Sequence, residues 1–144
     1  MHSLVADDSP LIRILLRTLL ADYGKCDEAR DGRETIAAFT RSAESETPYH
    51  LICLDLQMPE LDGIAVLEQI RHIEKERQLA SKVKILVISA SDEVETVKLT
   101  AAFGADGYLL KPITKPALKS RLEVLLPEAS AQFKGLAQRY ASVY

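Results

Sequence analysis

Five short apolar runs alternate with five longer stretches of helical spacing along this chain, and that rhythm limits what it can fold into more than any single motif does. Strand-sized runs separated by amphipathic helices build βαβ units, so the pattern predicts a parallel sheet with helices on both faces. The runs fall at Ser3 to Ala6, in HLICLD ending at Asp55, in KILVISA ending at Ser89 and in GYLLK ending at Lys111, with a weak second strand near Lys25 to Ala29 completing the five. HLICLD is apolar nearly throughout, which suits a central strand buried on both sides. A length of 144 residues, 47% hydrophobic, gives one domain enough core to fold unaided and leaves no room for a second sizeable one.

Helix boundaries are legible from capping chemistry. Ser9 followed by Pro10 reads as an N-cap with proline at the first helical position, and Leu11, Ile12, Leu15, Leu16 and Leu19 follow at helical spacing. Asp31 and Glu34 have the i, i+3 spacing of a capping box, ahead of Ile36, Ala37 and Phe39 as the expected buried side. The polar run from Ser42 to Pro48 reads as a surface loop. Pro59 and Gly63 punctuate a second loop before a helix carrying Ile64, Leu67, Ile70 and Ile73, with RHIEKERQ as its solvated end. The fourth helix, about Asp92 to Phe103, has mainly Val94, Val97 and Ala101 to bury, and Gly104 to cap it. So thin a stripe predicts an easily moved helix. Pro127 is expected to stop the fifth helix. Beyond it, Phe133, Leu136, Ala137 and Tyr140 recur at i, i+3, i+4, i+7, as in a short amphipathic tail helix.

Charge and cysteine usage exclude several classes. Eighteen basic against 21 acidic residues give a net charge of −3, without the basic footprint of a nucleic-acid binder. Cys26 and Cys53 sit inside strand-like segments as small buried thiols, the usage of a reducing compartment. The start, MHSLVADD, lacks a basic region leading into an apolar run, and no stretch approaches a membrane span. A soluble, cytoplasmic protein is expected.

The chemistry collects at strand ends. Asp7 and Asp8 close the first apolar run, Asp55 the third, Ser89 the fourth and Lys111 the last, so all are expected at the carboxyl edge of the sheet, where open α/β folds bind ligands. Three carboxylates gathered there repel one another unless a cation is present, and a divalent metal answers that. Asp55, after a buried strand and beside metal-holding acids, has the features of an aspartyl-phosphate nucleophile. Lys111 supplies a point positive charge and Ser89 a hydroxyl donor for phosphoryl oxygens. Each residue alone has a plainer reading as cap, loop or surface charge; their joint placement points to phosphoryl transfer.

In order, VADDSP, LDLQMPELDG, VISAS and YLLKP resemble the receiver domain of two-component response regulators, from about Ser3 to Leu126. The resemblance implies a flavodoxin-like, doubly wound α/β sheet of five parallel strands in the order 2-1-3-4-5, for which the chemotaxis member of the family is a standard example. It implies a receiver domain over 1–126 with residues 127–144 as a C-terminal tail. It makes Asp55 the phosphoacceptor and Asp8 a direct Mg2+ ligand, with Mn2+ as a substitute. Asp7 would act through metal-bound water and Gln57 through its backbone carbonyl. Ser89 and Lys111 would bind the phosphoryl group, Tyr108 would swing inward as the Ser89 hydroxyl moves, and Gln57 and Ser91 would tune the phosphoryl lifetime. The bond from Lys111 to Pro112 is expected to be cis.

The partners implied are a histidine kinase or histidine phosphotransfer protein upstream, a downstream protein target, and a second copy of the chain in a homodimer, with neither nucleic acid nor membrane. Phosphorylation would change the face of helix four, strand five and helix five, in a stand-alone switch or as a phosphorelay intermediate. The only reactions expected of the chain are its own phosphorylation and dephosphorylation. A haloacid-dehalogenase-type phosphatase also uses a strand-end aspartate, but needs a second aspartate two residues on, where this chain has Gln57. A flavin module would want a phosphate loop richer in Ser, Thr and Gly than ADDSP.

Overall fold

Polar side chains at the ends of apolar runs set where the helices of this protein begin. The structure, a computed structural model, describes residues 1–132. It runs β1 (His2–Ala6), α1 (Pro10–Leu20), a 3-10 turn (Ala21–Tyr23), β2 (Lys25–Ala29), α2 (Gly32–Ala43), β3 (Leu51–Asp55), α3 (Gly63–Glu76), β4 (Lys84–Ser89), α4 (Val94–Ala102), β5 (Gly107–Leu110) and α5 (Lys115–Leu125). Ser9 caps α1 as expected, its hydroxyl accepting the Ile12 amide at 3.4 Å. Asp31 caps α2 by accepting the Glu34 amide at 2.8 Å. The reciprocal half of that box is displaced by one residue, since Glu34 takes the amide of Arg30 at 2.7 Å, pulled there by an ion pair with the same side chain.

All five strands are parallel in the order β2-β1-β3-β4-β5. The register places Ala6 beside Leu54, Asp55 beside Ile88 and Ser89 beside Leu110, so the carboxyl ends of β1, β3, β4 and β5 lie together. Side-chain alternation splits the core in two. Leu4, Ala6, Ile52, Leu54 and Ile85 pack against Ala38 and Phe39 of α2 and Val66, Leu67 and Ile70 of α3. Val5, Leu51, Cys53, Leu86, Ile88 and Leu109 pack against Leu16 and Leu20 of α1 and Leu118, Leu122 and Leu125 of α5. Cys53 is fully buried on the central strand, opposite Val5 and Leu86, and burial pushes its thiol far above the usual range. Cys26, only partly buried, is likewise unpaired.

Several sequence expectations need correction. The first strand starts one residue earlier, at His2. On α2 the helical phase turns Ala37 to solvent and buries Ala38 with Phe39. The charged stretch after Ile70 is not wholly solvated, because Arg71 turns inward to pair with a buried Glu74. On α4 the expected stripe of Val94, Val97 and Ala101 is exposed, and among the described residues Thr100 is the helix's one buried side chain. The end of α5 at Leu125, ahead of Pro127, agrees with expectation, as does the helical start of the tail over 127–132. The tail positions Phe133, Leu136, Ala137 and Tyr140 lie outside the described residues. Among the described residues no helix is long and apolar enough to cross a membrane.

Candidate phosphoryl and metal site

The loop after β1 is held by its backbone. The Asp7 amide donates to the Ala29 carbonyl at 3.2 Å, its own carbonyl accepts from Arg13 Nη1 at 2.8 Å, and its Oδ1 accepts the Ser9 amide at 2.9 Å. These contacts leave Asp7 2% exposed with its carboxylate aimed across the sheet edge, while Asp8 faces solvent. At the end of β3, Asp55 is 5% exposed, and its Oδ1 accepts the Gln57 amide at 3.3 Å.

Lys111, just past β5, joins the two buried acids. Its Nζ lies 3.0 Å from Asp7 Oδ2 and 3.4 Å from Asp55 Oδ1, and its amide donates to the Ser89 carbonyl at 2.8 Å. Burial opposes the lysine's charge, yet the bond to Asp7 and the charges of Asp55 and Asp7 outweigh it and hold the ammonium above the ordinary lysine range. Burial and the Asp7 charge push the Asp55 carboxyl above the usual carboxylate range, against the opposing pull of Lys111. One carboxylate oxygen each from Asp7, Asp8 and Asp55 fall within 4.8 Å of one another. An all-oxygen, anionic donor set suits a hard divalent cation and disfavours soft metals.

The remaining sequence-nominated residues sit around this centre. Ser89 is buried at the end of β4, its hydroxyl accepting the Ser91 amide at 3.1 Å. Tyr108 is half-buried on β5 and donates its hydroxyl to the Ser91 carbonyl at 2.7 Å, so it latches the loop between β4 and α4. The Gln57 side chain is exposed. The peptide bond from Lys111 to Pro112 is cis. Two contributors were not nominated. Arg13, one turn into α1, also bonds Glu28 of β2, and so ties the Asp7 loop to the edge strand; a single basic residue at helical spacing carries no such signal. Gly63, read only as loop punctuation, lets α3 approach the strand end.

A Cβ at Gly63 would lie 2.3 Å from the Asp55 carbonyl oxygen and 2.6 Å from the Leu56 Cα, both backbone atoms that cannot rotate away. Gly63→Ala is therefore expected to destabilise the protein by about 1–3 kcal/mol, the range for overpacked sites. Urea unfolding midpoints with unchanged slopes would measure this.

A doubly wound parallel sheet with an acidic, lysine-bridged centre at its carboxyl edge defines the class: a flavodoxin-like domain with an acidic pocket that could hold a metal ion. The family model for the response regulator receiver domain matches residues 4–123, and the chain belongs to that family. Among curated relatives, the probable transcriptional regulator ycf27 of Porphyridium aerugineum is 36% identical over 85% of this chain and 47% of its own length. The chain thus spans about half of that longer regulator. Among solved structures, the Vibrio cholerae chemotaxis protein CheY4 is similar with a TM-score of 0.71 and 27% identity, covering 87% of this chain and 98% of that one. The receiver domain of the Saccharomyces cerevisiae response regulator Ssk1, co-crystallised with the histidine phosphotransfer protein Ypd1, is similar with a TM-score of 0.76 and 26% identity, covering 85% of this chain and 86% of that one. Receiver domains are regulatory modules of two-component signalling.

Proposed function

We propose that this protein is a phosphorylation-activated switch that takes a phosphoryl group onto Asp55 from a histidine kinase or histidine phosphotransfer protein. The observation that carries this reading is the convergence of Lys111 Nζ on both Asp7 and Asp55 beside an exposed Asp8. An Asp55 carboxylate oxygen forms the new O–P bond as the donor's N–P bond breaks, and the donor imidazole nitrogen keeps the bonding pair. Lys111 and the Ser89 hydroxyl receive phosphoryl oxygens, and the Gln57 amide holds the carboxylate in line. Asp7, Asp8, Asp55 and the Gln57 carbonyl would hold Mg2+, or Mn2+ in its place; when bound, such a cation supplies charge neutralisation in a reaction dominated by positioning and electrostatics. Hydrolysis returns the carboxylate, with Gln57 and Ser91 flanking the path of water.

A dianionic group at Asp55 creates new charge-assisted bonds for Ser89 and Lys111. Ser89 then gives up its bond to the Ser91 amide, and the loop latched by Tyr108 moves toward Asp55. Around that loop, Val94, Val97, Leu99 and Leu110 are exposed apolar groups on α4 and β5, the readout surface for a protein target or a second copy. Upstream, Leu11 at 78% exposure and Ile14 at 57% form an apolar strip on α1 close to Asp8. That a histidine phosphotransfer protein docks on such a domain is supported by the complex of the yeast Ssk1 receiver domain with Ypd1; the exposure of Leu11 and Ile14 is what puts the contact on α1.

With a small-molecule phosphodonor and Mg2+, intact mass is expected to rise by one phosphoryl group, and not to rise with a chelator present. A gain that survives chelation would count against the metal-dependent reading. Replacing both Leu11 and Ile14 by serine is expected to slow transfer from a protein donor by about tenfold, the effect of ~1.4 kcal/mol of lost docking. Transfer from the small donor should proceed at the wild-type rate; equal slowing of both would place these side chains in the chemistry rather than in docking.

A further inference from the structure

At the edge of the sheet opposite the acidic centre, one guanidinium joins three elements. Arg71 of α3 donates Nε to the Gly104 carbonyl at 3.0 Å, Nη2 to Asp106 Oδ2 at 2.8 Å, and Nη1 to the Val83 carbonyl at 2.9 Å and to Glu74 at 2.8 and 3.0 Å. Both carboxylates continue into the start of β4, since Glu74, 3% exposed, accepts the Val83 amide at 2.8 Å and Asp106 accepts the Ile85 amide at the same distance. Gly104 has φ +104, and a Cβ there would press on the Arg71 side chain at 3.0–3.1 Å. The turn after α4 is thus bolted to α3 and β4 by charge-assisted bonds, buried at Glu74 and open to water at Asp106.

The two ends of α4 are held unequally. At its carboxyl end Thr100 is buried, the Ala105 amide returns to the Thr100 carbonyl at 3.0 Å, and Phe103 packs against the core between the sheet and α3. At its amino end Glu93 makes no side-chain capping bond and Val94 is 63% exposed; the Ser91 hydroxyl makes two 3.4 Å contacts there, with the Glu93 amide and the Thr96 hydroxyl, and the Tyr108 latch holds only the Ser91 carbonyl upstream of the helix. A short helix fixed at one end and loose at the other moves as a lever.

We infer that Arg71 is the pivot of the switch, holding the 100–106 segment still while phosphorylation at Asp55 swings the amino end of α4. This rests on the phosphoacceptor reading of Asp55. It makes Arg71 a positioning residue about as far from the chemistry as the sheet allows. A swing about a fixed end repositions Val94 and Val97 most and Thr100 least, so the apolar readout surface changes shape rather than shifting as a block.

The test is residue-resolved amide exchange on the full chain, with and without beryllium fluoride plus Mg2+ as the phosphoryl mimic. In the wild type, exchange at 91–97 is expected to change by about tenfold, equivalent to ~1.4 kcal/mol of local opening free energy, with 100–106 unchanged. In the double variant R71M/E74Q, which leaves no buried charge unpaired at position 74, keeps an acceptor for the Val83 amide and leaves the Asp106 carboxylate, 29% exposed, to water, the change should spread into 100–106. D106N, which keeps an acceptor for the Ile85 amide, is the milder variant and should show a smaller spread. Equal changes at both ends of α4 in the wild type would overturn the pivot while leaving the switch intact, as would a response confined to 91–97 in both variants. No response anywhere, including around Asp55, would overturn the phosphoacceptor reading and the pivot with it.

Discussion

Asp55→Asn is expected to abolish the mass gain on phosphorylation and, in metal-free buffer, to raise the melting temperature. The first effect follows from loss of the nucleophilic carboxylate; a gain that persisted in the variant would move the acceptor elsewhere. The second follows from electrostatics. Asp55 is buried beside Asp7, and its carboxyl is held above the usual range. A raised folded-state value means the folded protein holds this proton more tightly than the unfolded chain does. The resulting stability is fully present below the ordinary carboxylate value and is lost as pH rises through the higher folded one. At neutral pH the ionised group therefore costs stability that asparagine, of nearly the same shape, does not. Its amide oxygen still accepts from the Gln57 amide and Lys111. The gain should be ~1–2 kcal/mol, on the scale of single-site effects, or roughly 3–6 °C. It should shrink as pH is lowered into the acid range and reverse in saturating Mg2+, which favours the ionised wild type.

Lys111→Met is expected to act in the opposite direction and more strongly. It leaves Asp7 and Asp55 buried, adjacent and without the ammonium between them. Removing one partner of a buried pair costs about 3–5 kcal/mol; with the centre open to water on the Asp8 side, ~2–4 kcal/mol is the expected loss. Thermal melts should fall by roughly 6–12 °C, and Mg2+ should recover part of this by supplying the missing charge. The wild-type contribution has its own pH limit. Lys111 is held above the ordinary lysine range, so its stabilisation is complete below that range and fades only as pH rises through the folded value. Combining the two substitutions should cost less than Lys111→Met alone, because asparagine removes the repulsion that the lysine offsets. Strict additivity would mean that Lys111 and Asp55 do not interact.

The fold was legible because its signals are local. Ser9 with Pro10, Asp31 with Glu34, and four apolar runs each state their element without reference to the rest of the chain, while KCDEA, three of its five residues charged, reads as a strand from its place in the alternation from which the parallel sheet follows. The strand order came from the resemblance to receiver domains, since apolar runs alone do not say which strands are neighbours. Asp7, Asp8, Asp55 and Lys111 were legible for the same reason, each ending a run at the edge where such ends must meet. What escaped notice depends on tertiary partners. RHIEKERQ looks like a solvated helix end until β4 and the turn at Gly104 arrive to surround Arg71. The α4 stripe of Val94, Val97 and Ala101 looks like a core face, but α2, α3, α1 and α5 already cover both sides of the sheet and leave those side chains outside. The reach of Arg13 to the Asp7 carbonyl has no sequence signature, because any helix may carry an arginine one turn from its start.

Cys53 gives these comparisons an internal clock. Its thiol lies on the central strand two residues before Asp55, sealed from solvent and kept protonated by burial. Alkylating reagents should reach it only when the sheet itself opens, whereas Cys26, partly exposed on the edge strand, should react from the folded state. The slow phase of labelling thus counts openings of the strand that carries Asp55, under native conditions and without an engineered cysteine. Lys111→Met should quicken that phase, and Asp55→Asn should slow it.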